Sequence, residues 1–252
     1  MAGLIPDEAI ERFIATGEYD PHFPELQGDA ITRRDQGFAI FRNVLRRIVK
    51  WRSNAARGPK QRLPADPLAT IRARLTPMLD GLFDGAEAEL LSTALPGRFC
   101  IVTAATFDAC IERVSLRTAW DLANLLLDDI GAPPLADDTP SLDGLCEAGH
   151  AWVLPRAFSD DGAVLVHEAA HLLHALERSV VGLSGSGPIL NIPPRRRETF
   201  AYACERIACG ALRPIEDARV DPAALDRLVA EGWAAARVWA ERTPSTKLIT
   251  TS

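Results

Sequence analysis

Val166-His167-Glu168-Ala169-Ala170-His171-Leu172 is the stretch on which the reading of this chain turns. Val164 and Leu165 precede it, and Leu173, Leu176, Val180 and Val181 follow, so an apolar helix is expected here. On a helix, residues four apart share one face about one turn, ~5.4 Å, apart. His167 and His171 then point the same way and can share one metal ion. Glu168 sits beside them, placed to hydrogen-bond a metal-bound water rather than to ligate. Two imidazoles, a carboxylate base and an open position are what metal-activated hydrolysis requires. The plain alternative is an amphipathic helix with His and Glu on a wet edge. It fits poorly with the apolar flanks, because unpartnered polar groups are costly to bury.

Catalytic zinc normally takes a third protein ligand. Downstream, residues 195–210 have helical periodicity and end at Gly210, a common helix stop. Glu198, Tyr202 and Glu205 fall on a single face of that helix. With these residues the chain resembles the gluzincins, zincin-type zinc metallopeptidases in which a second helix supplies a glutamate ligand, often followed three positions later by a small residue. The matching residues are His167, Glu168, His171, Glu198 and Ala201, over roughly residues 150–210. The resemblance implies a mostly helical α+β zincin-like domain with a small mixed β-sheet packed on the HExxH helix. It implies Zn²⁺ held by His167, His171 and Glu198, with Glu205 in reserve, Glu168 as general base, and peptide or protein substrates. Ala201 would let the two helices approach closely. Tyr202, one turn beyond Glu198, is the candidate oxyanion donor, ahead of His174 and Arg197. Glu198 could instead serve the start of its helix, where the dipole favours acidic groups, and Glu205 could pair with Arg206 or Arg213.

The metzincin variant is excluded, because Leu172-Leu173-His174-Ala175-Leu176-Glu177 has His174 where it needs a Gly and Glu177 where it needs a third His three residues later. His174 lies about 10 Å along the axis from His167 at ~1.5 Å per residue, too far to share one ion readily. It is expected beside the site or at its rim, among the substrate contacts. Residues 150–154 read as a strand stopped by Pro155. In zincins an edge strand before the active-site helix holds extended peptide by backbone pairing, which makes His150, Trp152 and Val153 candidate substrate contacts. Two other functions compete with the peptidase. Two His and one carboxylate also suit Fe²⁺, as in iron/2-oxoglutarate-dependent peptide hydroxylases that carry HExxH. A metal-binding module without turnover is the third.

Composition sets limits on these readings. The chain has 252 residues, 47% of them hydrophobic and 25% charged, ordinary for a globular protein with a substantial core. A net charge of −6 gives no reason to expect a nucleic-acid partner. Residues 1–8 lack the basic and apolar regions of a signal peptide. No apolar run reaches the ~18 residues of a membrane span, so no membrane partner is expected. The five Cys are odd in number and form no CxxC. They read as reduced thiols, and the expected compartment is the cytoplasm. Oligomeric state is not legible.

Three regions are expected: a helical N-terminal region over 1–95, the metal-binding region over 96–243, and a loose tail over 244–252. Helices are expected over 7–16, 33–52, 67–80, 85–95, 106–130 and from 222 to about 242. In the last, Leu225, Leu228, Val229, Trp233 and Val238 should face inward. The helix over 33–52 has a basic face of Arg42, Arg46, Arg47, Lys50 and Arg52, read as solvated or as facing an acidic partner. A strand is expected over 99–103 and an acidic loop over 133–145. Asp160 or Asp161 should cap the HExxH helix, and residues 184–188 should form a flexible connector.

Overall fold

Asp66-Pro67 shows how closely local chemistry sets the elements. Asp66 accepts a hydrogen bond from the Ala69 amide at 2.9 Å, and Pro67 occupies the first turn of a helix running Pro67–Leu82. The computed structural model describes residues 30–56, 62–135, 144–158, 162–210, 215 and 217–241. The expected helix over 7–16 and the tail over 244–252 lie outside them. The described chain is mostly helical with one three-stranded sheet, the α+β composition expected. None of its described helices is long and apolar enough to cross a membrane.

Contacts divide the chain into two units. The first takes in Met1–Arg62, Cys100–Glu147 and Trp152–Arg156. Its backbone is helix α1 (Ala30–Ala55) packed on α5 (Leu116–Asp129). Val44, Leu45, Ile48 and Val49 meet Leu122, Leu126, Phe107 and Trp152 in one core. The basic face of α1 is used within this unit. Arg42 donates from Nε to the Ile111 carbonyl at 2.8 Å and from Nη2 to the Val114 carbonyl at 2.9 Å. A cation is favoured there, at the end of the short helix α4 (Phe107–Ile111). Arg46 pairs with Glu112, and Arg52 donates to the Pro133 and Pro134 carbonyls. The single helix expected over 106–130 is broken between α4 and α5. Ser115 stops it by capping α5, accepting from the Thr118 amide at 3.2 Å.

The sheet consists of β1 (Phe99–Ile101), β2 (Gly144–Glu147) and β3 (His150–Val153), in the order β1-β3-β2. Two expectations fail here. Residues 144–147 form a strand, although the acidic loop is expected to run to 145. And β3, read as an edge, is the central strand, paired on both sides, so it has no free edge to offer a peptide. The signal overlooked is the turn Ala148-Gly149, whose positive φ values of 52° and 71° suit a two-residue hairpin.

The second unit takes in Leu63–Phe99, Ala148–Ala151 and Ala157–Ser252. Helix α2 (Pro67–Leu82) buries Ile71, Leu75, Met78 and Leu79, and packs on the HExxH helix α6 (Ala163–Ala175), with α3 (Gly85–Ala94) beside it. Helices α2 and α3 carry no motif, which hid their place beside the site. The main neighbours of α6 are helices, α2 and α7 (Arg197–Cys209), rather than the sheet expected to back it. The final helix is two, α8 (Pro222–Glu231) and α9 (Trp233–Glu241), divided at Gly232 with φ 69° and ψ −155°. Leu225 and Leu228 are buried as expected, but Val238 is 49% exposed because the break turns α9.

Gly81 fits directly under Trp233: a Cβ there would lie 2.3 Å from the indole Cγ. Gly81→Ala should therefore overpack this contact and destabilise the protein by about 1–3 kcal/mol. Thermal unfolding checks this, and an unchanged melting temperature would count against the close fit.

Candidate metal centre

The motif folds into the expected helix. Its start differs from expectation, because Gly162 stands at the N-cap with φ 78° and makes no side-chain cap bond. Asp160 and Asp161 lie outside the described residues. Gly162 is packed against the Arg74 side chain, whose Cδ a Cβ would meet at 2.7 Å, so glycine suits this position twice over.

Helix α6 lies against α7, and a small buried residue stands on the ligand-bearing face of each: Ala170 on one and Ala201 on the other. Glu198 enters from α7 in its first turn. Its Oε2 lies 3.6 Å from His167 Nε2 and 3.4 Å from His171 Nε2, and the two imidazole nitrogens are 3.2 Å apart. These three atoms form the one group among the described residues that could hold a metal ion. For ligand bonds of about 2.0–2.1 Å, the edge of a tetrahedral zinc site is about 3.3–3.4 Å. The triangle present has nearly that size, so the residues fit the ion.

Each of the three ligands is also gripped from behind. Glu205 Oε2 lies 3.3 Å from His167 Nδ1, at the nitrogen facing away from the triangle. His174 Nε2 lies 3.0 Å from His171 Nδ1. Arg219 Nη1 lies 3.1 Å from Glu198 Oε1, leaving Oε2 to face the histidines. Arg219 is in turn locked by Asp217, which accepts from its Nε at 2.9 Å and its Nη2 at 2.6 Å. Outer partners of this kind fix ring tautomers and ligand orientation in metal sites.

The electrostatics agree. Burial works to lower the pKa of His167, but Glu198 and Glu205, with help from the Glu168 charge, outweigh it and hold it up at about 9. The site therefore attracts positive charge. Burial works to raise the pKa of Glu198, yet His167, His171 and Arg219 keep it well below the usual carboxylate range. His174 goes the other way: burial, assisted by His171 and Arg197, pushes it down to about 3. A neutral His174 can accept at Nε2 from the Nδ1–H of His171, which frees His171 Nε2 as a lone-pair donor.

The structure thus brings together His167, His171 and Glu198, and places Glu205 behind His167 rather than in the triangle. Glu168 is 5% exposed, next to His167 in sequence. Tyr202 stacks edge-to-face on His167, ring centres 4.6 Å apart. His174 stands beside the site as expected, its Nε2 against His171 Nδ1. The other expected substrate contacts are not brought together with these. Trp152 and Val153 are sealed in the interior at 1% and 0% exposure, so they present no surface to a substrate. His150 is half-buried, its Nδ1 3.1 Å from its neighbour Ala148's carbonyl. Arg219 and Asp217 escaped the sequence reading. They sit in the turn before α8, and no spacing links them to the motif.

No family model, no curated protein and no solved structure matches this chain.

The two kinds of residue should separate on substitution. His171→Ala and Glu198→Ala should abolish stoichiometric zinc binding, measured by elemental analysis after dialysis. Glu205→Gln and Arg219→Ala should retain zinc with affinity reduced about 10–100-fold in a chelator competition, the usual cost of losing an outer partner. Full affinity in both outer variants would remove them from the site.

Proposed function

We propose that this chain is a zinc-dependent hydrolase of the gluzincin type that cleaves peptide bonds. The observation that carries the proposal is the triangle of two imidazole nitrogens and one carboxylate oxygen, with the buried Glu168 next to His167 in sequence. Zn²⁺ bound by His167, His171 and Glu198 would supply Lewis acidity, polarising a water and lowering its pKa toward about 7. The role of Glu168 would be to carry the proton: its carboxylate would take one from the attacking water and return it to the leaving amine nitrogen. The Tyr202 hydroxyl, with its ring anchored on His167, donates to the oxygen that becomes negative. Glu205, His174 and Arg219 hold the three ligands in register through the cycle.

The same donors suit Fe²⁺, and an iron/2-oxoglutarate-dependent hydroxylase is the second reading. Glu168 favours the hydrolase, since hydroxylation gives that carboxylate no proton to carry. The substrate is proposed only as a peptide or protein, and the proposal no longer relies on a substrate-pairing strand.

Glu168→Gln should keep full zinc content and lose at least about 100-fold in kcat on a peptide library, within the range of general acid–base contributions. Near-normal turnover in that variant would end the mechanism, and iron in place of zinc would favour the hydroxylase.

A further inference from the structure

Outside the metal centre, the second unit gathers positive charge around Trp239 on α9. The guanidinium carbons of Arg196 and Arg227 lie 4.8 and 5.8 Å from the centre of its ring. Stacking of this kind is favourable to a cation and fixes the plane of each guanidinium. Arg195 joins them around a cavity of about 380 Å³ that Thr199 and Asp221 also line.

The cavity is rich in donors and poor in available acceptors. Among the described residues, none of the three arginines meets a carboxylate within ion-pair distance. Asp221 is the one carboxylate among its lining residues: its Oδ1 accepts from the Ala224 amide at 3.1 Å to cap α8, and its backbone amide donates to Thr199 Oγ1 at 2.9 Å. The indole Nε1–H of Trp239 is buried and meets no acceptor among the described residues. Three converging guanidiniums repel one another, and this occurs in a chain of net charge −6. An oxyanion resolves the conflict, because the planar N–H edges of arginine match carboxylate and phosphate oxygens.

A second cavity of about 390 Å³ shares Arg227 and Trp239 and is lined further by Leu228, Glu231, Ala234, Ala235 and Val238. It has no further cation, and its apolar walls suit hydrocarbon. We infer that this surface is a binding site for an organic anion, with the carboxylate or phosphate group among Arg195, Arg196 and Arg227 and an apolar arm along Leu228, Ala235 and Val238. The site is separate from the metal triangle, although α7 serves both: Glu198 faces the histidines while its neighbour Thr199 lines the arginine cavity.

The test uses the full chain, loaded with metal, titrated by calorimetry with octyl phosphate, octanoate, inorganic phosphate and 1-octanol. Octyl phosphate or octanoate should bind saturably and at least tenfold more tightly than inorganic phosphate or octanol, and the stronger of the two identifies the headgroup. The double variant Arg196→Gln/Arg227→Gln should bind at least tenfold more weakly with its metal content unchanged. Because those side chains also pack on Trp239, Arg195→Gln, at an exposed position, provides a variant whose folding is not at risk and should also weaken binding. Absence of saturable binding to the wild type, equal binding of octanol, or unchanged affinity in Arg195→Gln and the double variant would overturn the proposal.

Discussion

The candidate site depends on the close approach of two helices, α6 and α7. His167 and His171 are set by one helical turn and would face the same way on any helix of this sequence. The third corner of the triangle comes from another segment and reaches them only if the helix axes run close together. Ala170 and Ala201, both buried and on the faces that carry the ligands, leave little between the backbones. A larger side chain at Ala201 would move Glu198 away from both histidines. The rest of the second unit supports this contact: α2 packs against α6, and α8 packs against α7.

Charge gives the contact its meaning. Glu168 and Glu205 are almost wholly buried, and Glu198 is largely so. Carboxylates in such surroundings need compensation, since an uncompensated buried charge costs several kcal/mol. Arg219 answers one of them, and the histidines with any cation they hold must answer the rest. The raised pKa of His167 expresses the same demand in proton form. A divalent cation satisfies it at the point where the three inner ligand atoms converge. The outer partners then account for side chains that a simple helix packing would leave unexplained: a glutamate behind one ring, a histidine behind the other, an arginine behind the carboxylate.

What the sequence made legible follows from how local the determinants are. The HExxH helix, the Asp66-Pro67 start, the Gly210 stop and the shared face of Glu198, Tyr202 and Glu205 rest on short-range spacing. All of these formed; the order of Glu198 before Glu205 came from the gluzincin resemblance, with Ala201 three residues on. What escaped depends on neighbours far apart in the chain. Ser115 and Gly232 break helices whose apolar periodicity runs on past them. The Ala148-Gly149 hairpin makes β3 central and seals Trp152 and Val153. Helix α2 joins the site-bearing unit through a buried face that carries no motif, and Arg219 reaches Glu198 from a turn with no periodic relation to it.

X-ray absorption at the zinc edge of the metal-loaded protein tests the central claim most directly. The account predicts one zinc per chain in a shell of nitrogen and oxygen only, at about 2.0–2.1 Å, with the outer scattering of two imidazoles. A sulfur ligand, a third imidazole, or a chain that binds no zinc would contradict it.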